Sequence, residues 1–168
     1  TGSKYAVACI NGTSALQVSL RLAGVQPSDE VIVPTLTFIA PVNAVTYNNA
    51  TPIFMDVNRY YNLDIDKTFD FINNETVFKK GFSYNTKSKK RISAIIPVHM
   101  WGNTVKLDEL VDLCSDRNIA IIEDASESLG TVYNKNNFKG KHTGSVGKIG
   151  CLSFNGNKII TTGGGGMI

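Results

Sequence analysis

The run Ile92–Val98 constrains the fold more than any other stretch of the chain. It is apolar on both faces of a strand, whereas a strand with one face in water alternates apolar and polar residues. A run of this kind is typical of a central strand in a parallel sheet with helices on both sides. Ile119–Ile122 repeats the feature after the helical pattern of Lys106–Asn118. These runs predict a strand–helix–strand unit.

The same alternation extends over the rest of the chain. Strands are predicted at Tyr5–Ile10, Asp29–Pro34, Thr51–Phe54 and Ile149–Phe154, helices within Leu16–Gly24, Thr35–Tyr47 and Asn62–Ile72, and a hairpin at Thr131–Lys141. The polar, basic segment Asn73–Lys90 is predicted to be irregular and exposed. Alternating strands and helices indicate an α/β domain with a mostly parallel sheet.

Composition excludes several other classes of protein. With 168 residues, 42% of them hydrophobic, the chain can bury one sizeable core, and a net charge of +3 is too small to indicate nucleic-acid binding. No apolar run reaches the length needed to span a membrane. Cys9, Cys114 and Cys151 are far apart and lie in apolar contexts. They indicate reduced core residues in a cytoplasmic protein rather than a disulfide or a metal site.

Several polar or aromatic residues lie at or just after predicted strand ends: Thr13, Phe38, Asp124, Ser153 and Lys158. The carboxyl ends of parallel strands share one edge of a sheet, where ligands bind. Each residue also has a structural explanation. Thr13 or Ser14 could cap a helix, Phe38 could be a core aromatic, and Lys158 could be a surface lysine.

Chemistry favours the functional explanation when the residues are taken together. Free amides at Gly12, Thr13 and Ser14, at a helix N-terminus, would hold a phosphate. A carboxylate at Asp124 needs a cation or a donor where it is buried. Lys158 precedes Gly163–Gly166, where the backbone could pass close to a bound molecule.

Pyridoxal phosphate (PLP) needs this combination of groups. Its phosphate needs amides and a hydroxyl, its ring needs a flat partner, its ring nitrogen needs an acid, and its aldehyde needs an amine. The sequence therefore predicts a PLP site.

The chain resembles the DegT/DnrJ/EryC1/StrS aminotransferases, PLP enzymes that build amino sugars on nucleotide carriers. The matching motifs, in family order, are Asn11–Leu16, Pro34–Ala40, Pro97–Gly102, Glu123–Glu127 and Ser153–Lys158. The resemblance implies an aspartate-aminotransferase-like (fold type I) large domain. It also implies a homodimer whose active sites are completed by the partner chain. Residues 1–168 would be part of that large domain, and a C-terminal small domain would lie outside them.

The resemblance also implies roles for individual residues. Lys158 would bind the cofactor aldehyde covalently and then transfer protons, Asp124 would pair with the ring nitrogen, and Phe38 would stack on the ring. The turn at Gly12, Thr13 and Ser14 would bind the phosphate together with the hydroxyl of Ser153.

Two positions depart from the family pattern. Glu127 stands where glutamine is common, and a carboxylate there would repel the ring phenolate unless it is protonated or turned toward the substrate. Gly164 stands where glutamate is frequent, and the sequence offers no mechanistic explanation for it.

The implied reaction transfers an amino group from L-glutamate to the C4 ketone of a nucleotide-linked 4-keto-6-deoxy sugar, for nonulosonic acid or O-antigen synthesis. The motifs resemble first the enzymes that aminate UDP-4-keto-6-deoxy-N-acetylhexosamines for legionaminic-acid-type sugars, and then the GDP-perosamine synthases. Two other functions stay open: a non-catalytic regulator or sugar-binding protein, and an NAD-dependent nucleotide-sugar enzyme. The isolated fragment is expected to be inactive.

Overall fold

The structure, a computed structural model, describes residues 1–168. Its strands are β1 (Ala8–Cys9), β2 (Glu30–Pro34), β3 (Thr51–Met55), β4 (Thr76–Lys79), β5 (Phe82–Asn85), β6 (Arg91–Ile95), β7 (Ala120–Asp124), β8 (Ile149–Ser153) and β9 (Gly166–Met167). Its α-helices are α1 (Gly12–Leu22), α2 (Ala40–Tyr47), α3 (Ile65–Asn74) and α4 (Asp108–Asp116). No helix is both long enough and apolar enough to cross a bilayer.

Five strands form the parallel centre of one sheet, in the order β3-β2-β6-β7-β8. Beyond β8, strand β9 runs antiparallel between β8 and β1. The predicted α/β class with a mostly parallel sheet is confirmed. All five parallel strands therefore end at the same edge of the sheet.

Helices cover both faces of this sheet, which explains why its strands are apolar on both sides. In β2, Val31 and Val33 pack into a core with Leu16 of α1 and Val45 of α2. Between them, Ile32 points to the other face and belongs to the core that includes residues of α3 and α4. The alternation along one strand thus supports two separate hydrophobic layers.

The segment Asn73–Lys90 is mostly exposed, as predicted. The prediction that it is irregular was wrong, because it contains the antiparallel hairpin of β4 and β5. The connecting Lys80 and Gly81 both have positive φ, 52° and 80°, as the two central residues of a type I′ hairpin turn do. β5 also pairs antiparallel with the start of β6. Neither β4 nor β5 alternates buried and exposed residues, so burial imposes no period-2 pattern on this segment.

Tyr5–Ile10 was predicted to be a buried strand, but only Ala8–Cys9 is a strand, and it lies at the sheet edge. Tyr5 and Ile10 are 76% and 77% exposed, since this edge strand has β9 as its only neighbour. The hairpin predicted at Thr131–Lys141 has no regular strands. The structure has a single antiparallel bridge there, between Val132 and His142, and a 3₁₀ turn at the tip.

We expect Gly150→Ala to destabilise the protein by about 3 kcal/mol or more, because its Cβ would lie 1.9 Å from the backbone oxygen of Gly144. Gly164→Ala is the matched control. A Cβ there meets no atom within 4 Å, so a change within about 0.5 kcal/mol is expected. Urea denaturation of the full-length protein measures both. Equal midpoints for the two variants would contradict the packing of β8.

Candidate active site

The parallel strands end around a cavity of about 270 Å³, close to the lower limit of about 300 Å³ that is usual for small-molecule pockets. The sequence-predicted site residues that line it are Gly12, Thr13, Phe38, Asp124, Glu127, Ser153 and Lys158. Larger surface cavities, of about 490 to 740 Å³, lie elsewhere. We assign the site to the smaller cavity because it alone gathers these groups.

Ser14 is the one predicted site residue that does not line the cavity. Its backbone N–H donates to Oδ1 of Asn11, the N-cap of α1, at 2.8 Å. The cap is therefore Asn11, not Thr13 or Ser14 as the sequence suggested. The N–H groups of Gly12 and Thr13 have no acceptor in the protein, so two amides at the positive end of the helix dipole stay available.

Gly12 lets the start of α1 approach the end of β8. A Cβ on Gly12 would lie 2.8 Å from Cβ of Ser153 and 3.2 Å from the hydroxyl oxygens of Ser153 and Ser126. The hydroxyl of Ser153 has no hydrogen-bond partner in the protein. Two free amides and this hydroxyl therefore occupy one corner of the cavity, a set of donors suited to a phosphate.

Asp124 ends β7 and is only 5% exposed. Its backbone is fixed by hydrogen bonds with Pro97 and His99, while its carboxylate Oδ1 accepts the N–H of Ser126 at 3.0 Å. Burial raises the pKa of Asp124 above its ordinary value, although Ser126 and the charge of Lys158 oppose the shift. No residue other than Ser126 donates a hydrogen bond to this carboxylate. A cationic N–H entering the cavity would supply a further donor and favour the ionised carboxylate.

Lys158 follows β8 in a turn in which its N–H bonds to the oxygen of Asn155 at 3.0 Å. Its side chain is 14% exposed, and its Nζ lies 3.3 Å from Oε1 of Glu127. The other Glu127 oxygen accepts the N–H of Trp101 at 3.4 Å. The amine is thus largely removed from solvent and paired with a carboxylate at the edge of the cavity.

Phe38 is 69% exposed although it borders the cavity. It is therefore not a core aromatic, the structural alternative for this residue, and its ring is available to a bound molecule.

The glycine run has a different role from the predicted one, since none of Gly163–Gly166 lines the cavity. A Cβ on Gly166 would lie 2.4 Å from the backbone carbonyl of Asn11, so this glycine allows β9 to pack against the start of α1. Nothing in the structure explains Gly164.

Sequence reasoning missed the role of Glu123, which has no exposed surface. Its carboxylate accepts the N–H groups of Gly144, Val146 and Gly147 at 2.9, 2.7 and 2.6 Å, and bonds to His99 Nε2 at 2.9 Å. The N–H of Val105 donates to His99 Nδ1, so the ring proton is on Nε2.

Burial raises the pKa of Glu123, but the bonds from His99 and the glycine amides outweigh it and keep the pKa below its ordinary value of 4.5. His99 therefore has a structural role in this network.

Other lining residues were also missed: Asn11, Thr37, Ala40, Val98, Met100, Ser126, Asn155 and Asn157. Most of them lie next to predicted site residues, and proximity to a strand end is the signal that could have found them. Thr37 Oγ1 is buried without a hydrogen-bond partner.

The residues present fit PLP. The free amides and hydroxyl form a cradle for its phosphate, the carboxylate of Asp124 is hydrogen-bonded by Ser126 alone, and Lys158 offers an amine at the same cavity. No group of His, Cys, Asp and Glu side chains is arranged to hold a metal ion.

A parallel sheet with these groups at one edge defines the class of PLP-dependent transferases. The chain belongs to the DegT/DnrJ/EryC1/StrS aminotransferase family, which matches residues 1–168.

Several curated proteins and solved structures are similar to this chain over nearly all of its length. GDP-perosamine synthase of Caulobacter vibrioides is 43% identical, over 99% of this chain and 40% of that protein. An aminotransferase from Psychrobacter cryohalolentis is 34% identical with a TM-score of 0.80, over 98% and 37% of the two chains. The PLP-form of Spr1654 from Streptococcus pneumoniae is 27% identical with a TM-score of 0.79, over 99% and 41%. The chain thus spans about 40% of the length of its relatives.

We expect Glu123→Gln to lower the free energy of unfolding by about 3 kcal/mol at pH 7, because one buried amide N–H would then face another donor. Since the pKa of Glu123 is lowered by folding, the stability it contributes is present above pH 4.5 and is lost as the pH falls. Urea titrations from pH 7 to pH 4 should show the wild-type advantage shrinking. Glu109→Gln, at an exposed carboxylate without a partner, is the control. A pH-independent difference would refute the assignment.

Proposed function

We propose that the protein is a PLP-dependent aminotransferase that moves an amino group from L-glutamate to the C4 ketone of a nucleotide-linked 4-keto-6-deoxy sugar, for the synthesis of cell-surface glycans. One observation carries the proposal: the amine of Lys158, the carboxylate of Asp124 and the free amides of Gly12 and Thr13 line a single cavity. Family membership supports it.

When bound, PLP supplies an electron sink that stabilises negative charge on the substrate carbon. The amides of Gly12 and Thr13 and the hydroxyl of Ser153 would hold its phosphate. Asp124 would pair with the ring nitrogen and keep a proton on it, in a buried place where a charge pair is strong. Phe38 would offer its ring to one face of the cofactor.

The Nζ of Lys158 has two roles in the proposed reaction. It would hold the aldehyde end of the cofactor. It would also act as general base and general acid in proton transfer at the substrate carbon, because it lies within the cavity.

The substrate class is proposed from relatives rather than from geometry. The name GDP-perosamine synthase, borne by a relative 43% identical to this chain, supports a nucleotide-linked sugar. It favours the perosamine-type alternative over the legionaminic-acid type that the motifs suggested first.

We also propose that residues 1–168 are part of the large, PLP-binding domain of a homodimeric enzyme. The C-terminal small domain and the partner chain would then complete the substrate site. In consequence, the isolated piece is expected to bind PLP weakly and to be inactive.

Lys158→Ala in the full-length protein should abolish the visible absorbance of covalently bound PLP and lower the turnover by about 10³-fold or more, since it removes both the covalent link and the general base. Absorbance spectra and a transamination assay measure the two effects. Lys139→Ala, at an exposed lysine, should match the wild type. Near wild-type turnover in Lys158→Ala would contradict the proposal.

Ser153→Ala should weaken PLP binding by about tenfold, the effect of losing one hydrogen bond to a charged group. Binding of pyridoxal, which lacks the phosphate, should be unchanged. Fluorescence titration of the cofactor-free protein with each compound compares the two. A loss of affinity for both would show that Ser153 does not act on the phosphate.

A further inference from the structure

Glu127 holds the amine of Lys158 through one of its two carboxylate oxygens. Oε1 lies 3.3 Å from Nζ, and it is the only acceptor within hydrogen-bond distance of that nitrogen. Oε2 is tied to the backbone by the N–H of Trp101. The two oxygens therefore have different tasks, since one fixes the side chain and the other faces the reacting nitrogen.

The reaction of an ammonium with an aldehyde needs a proton acceptor. As the bond between Nζ and the aldehyde carbon forms, the carbonyl oxygen leaves as water with two protons from the nitrogen. A third proton must leave Nζ if the product nitrogen is to be neutral. Oε1 of Glu127 already accepts a hydrogen bond from this nitrogen, so the proton can move without crossing solvent.

The position of Oε1 also determines which part of the cofactor it would meet. In PLP the ring hydroxyl is on the carbon next to the one that carries the aldehyde. A carboxyl group in contact with Nζ therefore lies close to the ring oxygen as well. Two negative oxygens at that distance would repel each other, whereas a proton between them gives a hydrogen bond between an acid and an anion.

We propose that Glu127 is the acceptor of the proton that Lys158 loses on binding PLP, and that it keeps this proton as a carboxylic acid that donates to the ring oxygen. The inference rests on the proposed function. It explains how a carboxylate can occupy a place that faces a phenolate.

The test counts protons on PLP binding to the cofactor-free, full-length protein. Titration calorimetry at pH 7 in buffers of different ionisation enthalpy gives the number released. Glu127→Gln should release one proton more per bound cofactor than the wild type, because glutamine cannot keep it. Glu109→Gln, at an exposed carboxylate that has no partner, should release the wild-type number.

Infrared difference spectra provide a second reading that does not depend on turnover. PLP binding to the wild type should produce a carboxylic-acid band that shifts in D₂O, is missing in Glu127→Gln and moves in Glu127→Asp. Equal proton counts in the wild type and Glu127→Gln, or a wild type without this band, would overturn the inference. If Glu127→Gln binds no PLP, the wild-type and Glu127→Asp spectra decide. Failure of the wild type to bind PLP covalently would instead overturn the proposed function.

Discussion

Two neighbouring carboxylates at the end of β7 are the constraint on which the site depends. Side chains alternate along a strand, so Glu123 and Asp124 point to opposite sides of the sheet, and both are buried. Glu123 receives three backbone N–H groups and the histidine proton of His99. Asp124 is hydrogen-bonded by Ser126 alone and borders a cavity. A buried carboxylate with so few donors is costly unless something else pairs with it. The fold thus supplies Glu123 with donors for both of its oxygens and leaves Asp124 able to pair with a ligand.

The loops around β7 position the other groups through their own backbone geometry. The carboxylate of Glu123 ties the loop before β8 to β7, and β8 in turn leads to Lys158. On the other side, Trp101 adopts a left-handed conformation, φ 50° and ψ 31°, which is uncommon for a bulky residue and costs free energy. That conformation accompanies the bond from its N–H to Glu127. The strained residue Trp101 is thus the one that fixes the carboxylate of Glu127 beside the amine of Lys158.

The central fold and most of the site could be predicted from the sequence, because both depend on patterns within short stretches. Apolar runs predicted the parallel strands, and their ends predicted the shared cavity that includes Asp124 and Lys158. The predictions that failed concern contacts that the local sequence pattern does not specify. The carboxylate role of Glu123 requires N–H groups from a loop some 20 residues further on. The amide of Ser14 is occupied because Asn11 caps the helix, and the hairpin in Asn73–Lys90 depends on pairing with β6. In the glycine run, Gly166 serves packing against α1, which local composition cannot distinguish from ligand contact.

The central claim is that Asp124 pairs with the ring nitrogen of a cofactor that Lys158 holds. Nitrogen NMR of the full-length protein with PLP labelled with ¹⁵N in the ring tests it most directly. A protonated ring nitrogen in the wild type at pH 7, and an unprotonated one in Asp124→Asn, is the predicted result. A wild-type nitrogen without a proton, or a signal that Asp124→Asn leaves unchanged, would contradict the account.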